Sequence, residues 1–342
     1  MKKQINKLNI ALILLPVLFF LAGNLHALTI KIGTVAPLRS PWIKELKQLG
    51  LEWKKITNGL VDIKVYAGGI AGSESDMIRK IRMGTLGGAV FTNQGITGIY
   101  RDAYALNIPF LLDSEAELDY VMEKLAPVFE EEIEKKGFKV LLWAKAGWVH
   151  FFSKNPVLCP EDLKKHRLSF TTGASDMGDA WIKAGYRIVP NELKDLMMAL
   201  QSGMVDAFYL PPLLAASGQY FPMAPNMCSL PVAPLLGGLV ISDKLWHEIP
   251  DQYKEQMIIV ARRMADNLYK KTVELEKDAI DVMKKHKLVI NTPPPDAVEK
   301  WKAASDKGMD VLIGKTFSQG IYDKMMGYLN EYRKGKKGNG QK

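Results

Sequence analysis

Two cysteines in 342 residues, Cys159 and Cys228, are too few to staple a fold, so stability has to come from a hydrophobic core. A single bridge between them is open to an exported chain, and their spacing does not decide it. Histidine is also sparse. Beyond the first 27 residues only His150, His166, His247 and His286 remain, and none falls in a His-Glu-x-x-His pattern. There is no Gly-x-Ser-x-Gly elbow, and neither cysteine has an activating context. Asp206 beside Tyr209 is a lone pair of the structural kind rather than a catalytic base. These absences argue against an enzyme and give no metal or cofactor motif. The GGIAGSESD loop, Gly68–Asp76, lacks Gly-x-Gly-x-x-Gly spacing and any Gly-Lys-Ser/Thr, so it reads as a tight turn and not a phosphate cradle. No basic stretch is interleaved with aromatics, so no nucleic-acid partner is indicated.

What is present is core material. Apolar residues make up 47% of the chain and charged residues 24%, a globular composition with length for two domains. The first 27 residues differ in kind. Lys2, Lys3 and Lys7 precede an apolar run, Ile10–Ala22, and Leu25-His26-Ala27 offers a cleavage site. This is the pattern of a cleavable secretory signal peptide, with an uncleaved anchor as the competing reading because Leu25 is large for a cut site. The leader carries three lysines and no acid, so its removal lowers the net charge from +9 to +6. Much of the remaining excess sits in Arg333–Lys342, which reads as a solvated basic tail.

Along the chain, Leu28–Val35 alternates as a strand, Ser40-Pro41 opens a helix to about Ile56, and Val61–Tyr66 alternates again. A helix over Ser73–Met83 and a strand over Gly88–Thr92 follow. The order β-α-β-α-β predicts a mostly parallel sheet covered by helices. A second α/β unit has strands at Phe138–Trp143, Val149–Ser153, Leu168–Thr171 and Arg187–Val189, with a helix over Ser175–Ala184. From Asp251 to Lys287 there is no Gly or Pro, and Met257, Ala261, Met264, Leu268, Leu275, Ala279 and Met283 trace one helical face. At ~1.5 Å per residue such a helix runs roughly 50 Å, which suits an element lying across two lobes. A coiled coil is the competing reading, though the stripe breaks at Thr272.

One stretch is out of character. A helix ending at Gly203 is followed by Asp206-Ala207-Phe208-Tyr209-Leu210-Pro211, where a loop normally carries polar turn residues.

The chain resembles the periplasmic solute-binding (P) subunits of TRAP transporters, the tripartite ATP-independent secondary transporters, from about Ile30 to Tyr332. The resemblance rests on GIAGSESDMIRKIRMGTLG, Asn107-Ile108-Pro109-Phe110, the Lys139–Gly147 strand, PEDLKKHRL, ALQSGMVDA and the long helix, taken in order. It implies a two-lobed α/β binding fold of the Venus-flytrap kind, with hinge strands and a helix bracing both lobes. It also implies a periplasmic location, no cofactor, and delivery of a captured solute to TRAP membrane subunits. The chain is compatible with the branch that works beside a TPR-repeat periplasmic partner. The expected division is a first lobe of residues 28–146 plus about 235–270, a second of 147–234 plus about 271–332, and a flexible tail over 333–342.

The departures from the family pattern shape the expected cargo. Where members usually carry two arginines, this chain has Val149 and Ser169; the usual amide-bearing Asn is Leu210, and a polar first-strand position is Val35. A bidentate Arg–carboxylate pair is short and selective, and without it a closed cleft strands a desolvated negative charge. The expectation is therefore a small hydrophobic or amphipathic solute, met by Val35, Phe91, Asn93, Gln94, Trp148, Val149, Ser169, Phe208, Tyr209 and Leu210. Three alternatives stay open: an organic-acid binder in which a two-residue register slip lets Arg167 replace the missing clamp, a ligand sensor acting through a protein partner without transport, and a lipid carrier between membranes. His150 follows Val149 and should point to the other face of its strand.

Overall fold

The alternating segments pair edge to edge, because a strand with one apolar face leaves its backbone groups to be satisfied by neighbours. The computed structural model describes residues 27–170 and 175–339; the expected leader, but for Ala27, lies outside them. Ten strands among the described residues form one connected sheet: β1 (Leu28–Thr34), β2 (Val61–Tyr66), β3 (Gly88–Thr92), β4 (Phe138–Ser153), β5 (Arg167–Phe170), β6 (Arg187–Pro190), β7 (Ala207–Leu210), β8 (Asn226–Cys228), β9 (Ala233–Ser242) and β10 (Val289–Asn291). The order is β2-β1-β3-β9-β4-β7-β5-β6, with β8 beside β4 and β10 beside β8. Strands β2, β1 and β3 are parallel, joined through helices α1 (Pro41–Ile56) and α2 (Glu74–Arg82). Ser73 caps α2 in a reciprocal box with Asp76, where the sequence placed the helix start.

Strands β9 and β4 run antiparallel to each other and carry the sheet from one half to the other. β4 pairs with β9 from Phe138 to Val149, then changes partner and pairs with β7 from His150 to Ser153. The sequence suggested two strands here; there is one, 16 residues long. Gly147 is the reason. It sits at φ +96° in a stretch of irregular register between Lys145 and Trp148, so the strand bends without ending. The apolar run after Gly203 is likewise strand β7 and not a loop, which explains its three large side chains.

Helices fill both faces. They include α3 (Asn93–Ile99), α4 (Glu115–Glu134), α5 (Ser175–Lys183), α6 (Leu196–Gln201), α7 (Pro212–Ser217), the long α8 (Asp251–Lys285), α9 (Pro295–Leu312) and α10 (Gln319–Asn339). Near its start α8 buries Met257, Ala261 and Leu268 against β1, α1 and β4, and Trp53 donates its indole N–H to Met257 O at 3.0 Å. At its far end Met283 joins the core around Leu196 and Phe208. It therefore packs within the molecule rather than as a coiled coil. Its buried stripe does not break at Thr272, whose hydroxyl donates to Leu268 O at 2.8 Å and is thereby buried at no hydrogen-bond loss; Leu275, expected in the stripe, is exposed.

The crossing point of β4 is clamped from two sides. Lys145 pairs with Glu115 and with Asp119 (2.7 Å) on α4 and stands 4.0 Å from the ring centroid of Tyr269 on α8. Trp148 donates its indole N–H to Glu115 at 3.1 Å. Between them, a Cβ placed on Gly147 would lie 2.6 Å from Glu276 Oε2, an α8 oxygen that is buried without a partner. That burial pushes the Glu276 carboxyl up to about 7.

Two smaller expectations are resolved. Both cysteines are free thiols, and burial pushes Cys228 up to about 11. The chain is still helical at Arg333, whose guanidinium holds Glu117 (2.8 Å), Asp113 (3.1 Å) and Leu111 O (2.9 Å), so a loose basic tail does not begin there. Helix α10 packs through Ile321, Met325 and Leu329 into the core that α4 lines.

Replacing Gly147 with alanine forces a side chain into positive φ against Glu276, with an expected loss of about 1–3 kcal/mol in urea unfolding. The Glu276 carboxyl binds its proton more tightly folded than unfolded, so its stabilising contribution is complete below its ordinary value of 4.5 and is lost as pH rises through about 7. Glu276→Gln should flatten the fall in melting temperature across that window.

Candidate functional site

A cavity of about 180 Å³ opens where β1 and β3 end and where the bend in β4 brings the second half of the sheet opposite them. Carboxyl ends of parallel strands are the usual ligand position in open α/β sheets, since the chain turns away there and leaves backbone and loop side chains facing one another. Both halves contribute walls. From the first come Val35, Thr92, Asn93 and Gln94; from the second Val149, Ser169, Tyr209 and Leu210. The Gly68-Gly69 turn meets the second half at Lys194, whose Cβ would lie 3.8 Å from a Cβ on Gly69.

Strand alternation settles most of the assignments. Val149 faces the cavity and its neighbours on β4 face away. Trp148, expected as a wall, instead reaches α4 through Glu115, and His150 bonds the carbonyl of Cys228 (2.9 Å). Phe91, also expected in the site, is 1% exposed and packs beneath Gly95, where a Cβ would lie 2.3 Å from its ring. Its side of β3 is covered by α3, which starts only two residues later. Phe208 borders the cavity, yet most of its ring is committed to a stack on Phe152 (5.0 Å, 5°). Ser169 lines the cavity with its hydroxyl accepting from Asn191 at 3.2 Å.

Arg167 does not replace the missing clamp. It lies in register with Arg187 at the outer end of β5, exposed, and its guanidinium bonds Asp206 at 3.0 Å. Asp206 also accepts from the Arg167 backbone N–H (2.7 Å) and meets His166 at 3.2 Å, so it ties β5 to the turn before β7. Among the described residues that line the cavity there is no Arg, Lys or His, and there are two carboxylates, Glu74 and Glu192. Glu74 accepts from the Thr92 backbone N–H (2.5 Å) and hydroxyl (2.7 Å), yet burial outweighs these bonds and pushes its carboxyl up to about 7.

The two amides foreseen at the end of β3 behave differently. Asn93 Oδ1 accepts from Leu236 N–H (2.5 Å) and its Nδ2 donates to Pro234 O (3.4 Å), so this side chain ties the cavity wall to β9. Gln94 lines the cavity with no such tie. Asn107, which sequence reasoning did not single out, lines it too, and its Oδ1 is buried without a partner. Aromatic walls were also missed: Tyr104, Phe151, Phe170 and Trp181. Asn107 was legible only as part of the Asn-Ile-Pro-Phe segment, in which Phe110 adopts φ +60°. No group of three or more His, Cys, Asp or Glu stands together as a metal site among the described residues.

The profile of the family described as Bacterial extracellular solute-binding protein, family 7 (DctP), matches residues 32–315. A solute-binding protein of Roseobacter denitrificans is 23% identical over 201 residues, which are 58% of this chain and 61% of that protein. The match thus spans under two thirds of that relative. A TRAP periplasmic solute binding protein of Ralstonia eutropha, solved with (S)-2-acetolactate, superposes with a TM-score of 0.82 at 20% identity, covering 89% of this chain and 99% of that one. Another, from Sulfurospirillum deleyianum with bound succinate, gives 0.79 at 19% identity, covering 87% and 98%. The fold is therefore the two-lobed α/β architecture of these binding proteins, as the sequence led one to expect.

Asn93→Ala should leave the Leu236 N–H without its acceptor at the edge of β9. The expected loss is about 1–3 kcal/mol of unfolding free energy, measured in urea with no ligand present.

Proposed function

Because this chain belongs to family 7 of the bacterial extracellular solute-binding proteins, we propose that it is an exported solute-binding subunit that captures a small hydrophobic or amphipathic molecule between its lobes and delivers it to TRAP membrane subunits. The observation that carries this reading is the charge of the cavity. Its described walls offer no cation and two carboxylates. An organic anion enclosed there would lose its hydration with no cation in the described walls to offset the loss, a penalty of several kcal/mol. Apolar walls favour the opposite cargo, at about 25 cal/mol for each Å² of apolar surface removed from water. Gln94 and Asn107 supply amides for a neutral polar end.

Succinate and acetolactate are what the two structural relatives hold. In our reading this chain keeps their architecture and takes a different cargo. The lobes divide at the bend of β4 near Gly147 and near Leu235 of β9, with α10 assigned to the first lobe because it packs on α4. Closure brings Leu210 and Val149 toward Val35 and Gln94, and the ligand favours the closed form through contacts that exist only when both walls meet. A TPR-repeat partner is compatible with this reading.

Mass spectrometry of molecules extracted from gently purified protein, against a denatured and refolded control, should show an apolar or amphipathic species in the first sample alone. Calorimetry should show no binding of succinate. Tight succinate binding without any apolar ligand overturns the reading. Val149→Arg and Leu210→Arg should each weaken the extracted ligand by roughly tenfold or more, since each puts a charge into the apolar wall. Unchanged binding in both places the site elsewhere.

A further inference from the structure

Behind the main cavity lies a smaller chamber of about 40 Å³, and Pro109 and Trp181 line both spaces. Its remaining walls include Phe110, Tyr186, Trp301 and Gly308. Two of the polar groups there are already committed. Ser305 donates its hydroxyl to Pro109 O at 2.6 Å, and the Trp301 indole N–H donates to Leu158 O at 3.1 Å. A small space walled mostly by rings and other apolar groups holds water poorly and accepts hydrocarbon well.

The aromatic part of the partition between the spaces is Trp181. Trp181 is half-buried, meeting Tyr186 edge-on at 4.6 Å and 62° and Phe151 at 6.2 Å and 78°. The opposite wall is held at a conformational cost. Phe110 adopts φ +60°, uncommon for a bulky residue, while its N–H donates to Val232 O at 2.6 Å and its ring lies 5.4 Å from Trp301. Backbone strain of this kind persists only where surrounding structure enforces it. Here it sets an aromatic ring into the wall of the smaller chamber.

We infer that the two spaces form one elongated site, with Trp181 as the partition, and that the ligand is chain-shaped, its apolar end passing that ring into the smaller chamber. This rests on the apolar-cargo reading of the main cavity and specifies the shape of the cargo. At about 40 Å³ the smaller chamber has room for roughly three water-sized groups, so it takes the last carbons of a chain and limits length rather than bulk. The polar end stays in the main cavity with the amides of Asn107 and Gln94. A branched or compact solute gains nothing from the second chamber.

The test is the binding of straight-chain primary alcohols from butanol to dodecanol, followed by calorimetry. In the wild-type protein affinity should climb roughly fourfold per added methylene and stop climbing when the chain reaches the far wall. Gly308 faces open space, with no atom within 4 Å of a Cβ built there, so Gly308→Leu fits on α9 and fills the chamber. It should move the break to shorter chains. Trp181→Ala removes the partition and should move it to longer ones. The variants lie on different helices, so misfolding of one, read by circular dichroism, leaves the other decisive. A break at the wild-type chain length in every folded variant overturns the two-chamber site while leaving the apolar cargo standing. If no alcohol binds the wild-type protein, the apolar cargo falls and the two-chamber site with it.

Discussion

Two antiparallel strands belong to both halves of this molecule, and their pairing is the constraint on which the rest depends. β4 and β9 stay hydrogen-bonded from Phe138 to Val149, after which β4 takes β7 as its partner. A strand that changes partner must bend, and the bend is possible because Gly147 occupies positive φ without a side chain to meet Glu276. The cavity lies beside this bend. Its walls come from opposite halves of the sheet only because β4 and β9 hold those halves in one register. Asn93 strengthens the arrangement by tying the end of β3 to β9.

Helix α8 completes the brace. It carries buried residues in the cores of both halves and passes the bend with Tyr269 over Lys145 and Glu276 against Gly147. A buried carboxyl without a partner is an expensive feature in a hinge, since desolvation disfavours its charged form. It makes the brace a place where protonation and backbone geometry meet, beside the bend but not among the residues that line the cavity.

The cavity itself is defined by which charges it lacks. Related folds hold succinate and acetolactate. In this chain the cavity presents Val149 and Leu210, and Arg167 is held at the outer end of β5 by Asp206. The described walls carry two carboxylates, Glu74 and Glu192, and no cation. The binding architecture and the chemistry of the cargo are thus separable. One depends on strand order and the bend, the other on a handful of side chains that can change without disturbing it.

The α/β class, the start of α2 and the length of α8 are legible in the sequence because periodicity and turn residues are local. The absence of a cationic clamp is legible only against the family pattern. The strand end placed Asn93 and Gln94 at the cavity, and the resemblance to the family pattern placed Val35, Val149, Ser169 and Leu210 there. Phe91 and Trp148 were misplaced. Which face of a strand is covered depends on the helix laid across it, and neither α3 over Phe91 nor Glu115 beside Trp148 can be read from the strand. The place of Asn107 and Trp181 at the cavity, and the second chamber, were invisible for the same reason. They are walls made by segments far apart in the chain, and only packing brought them together.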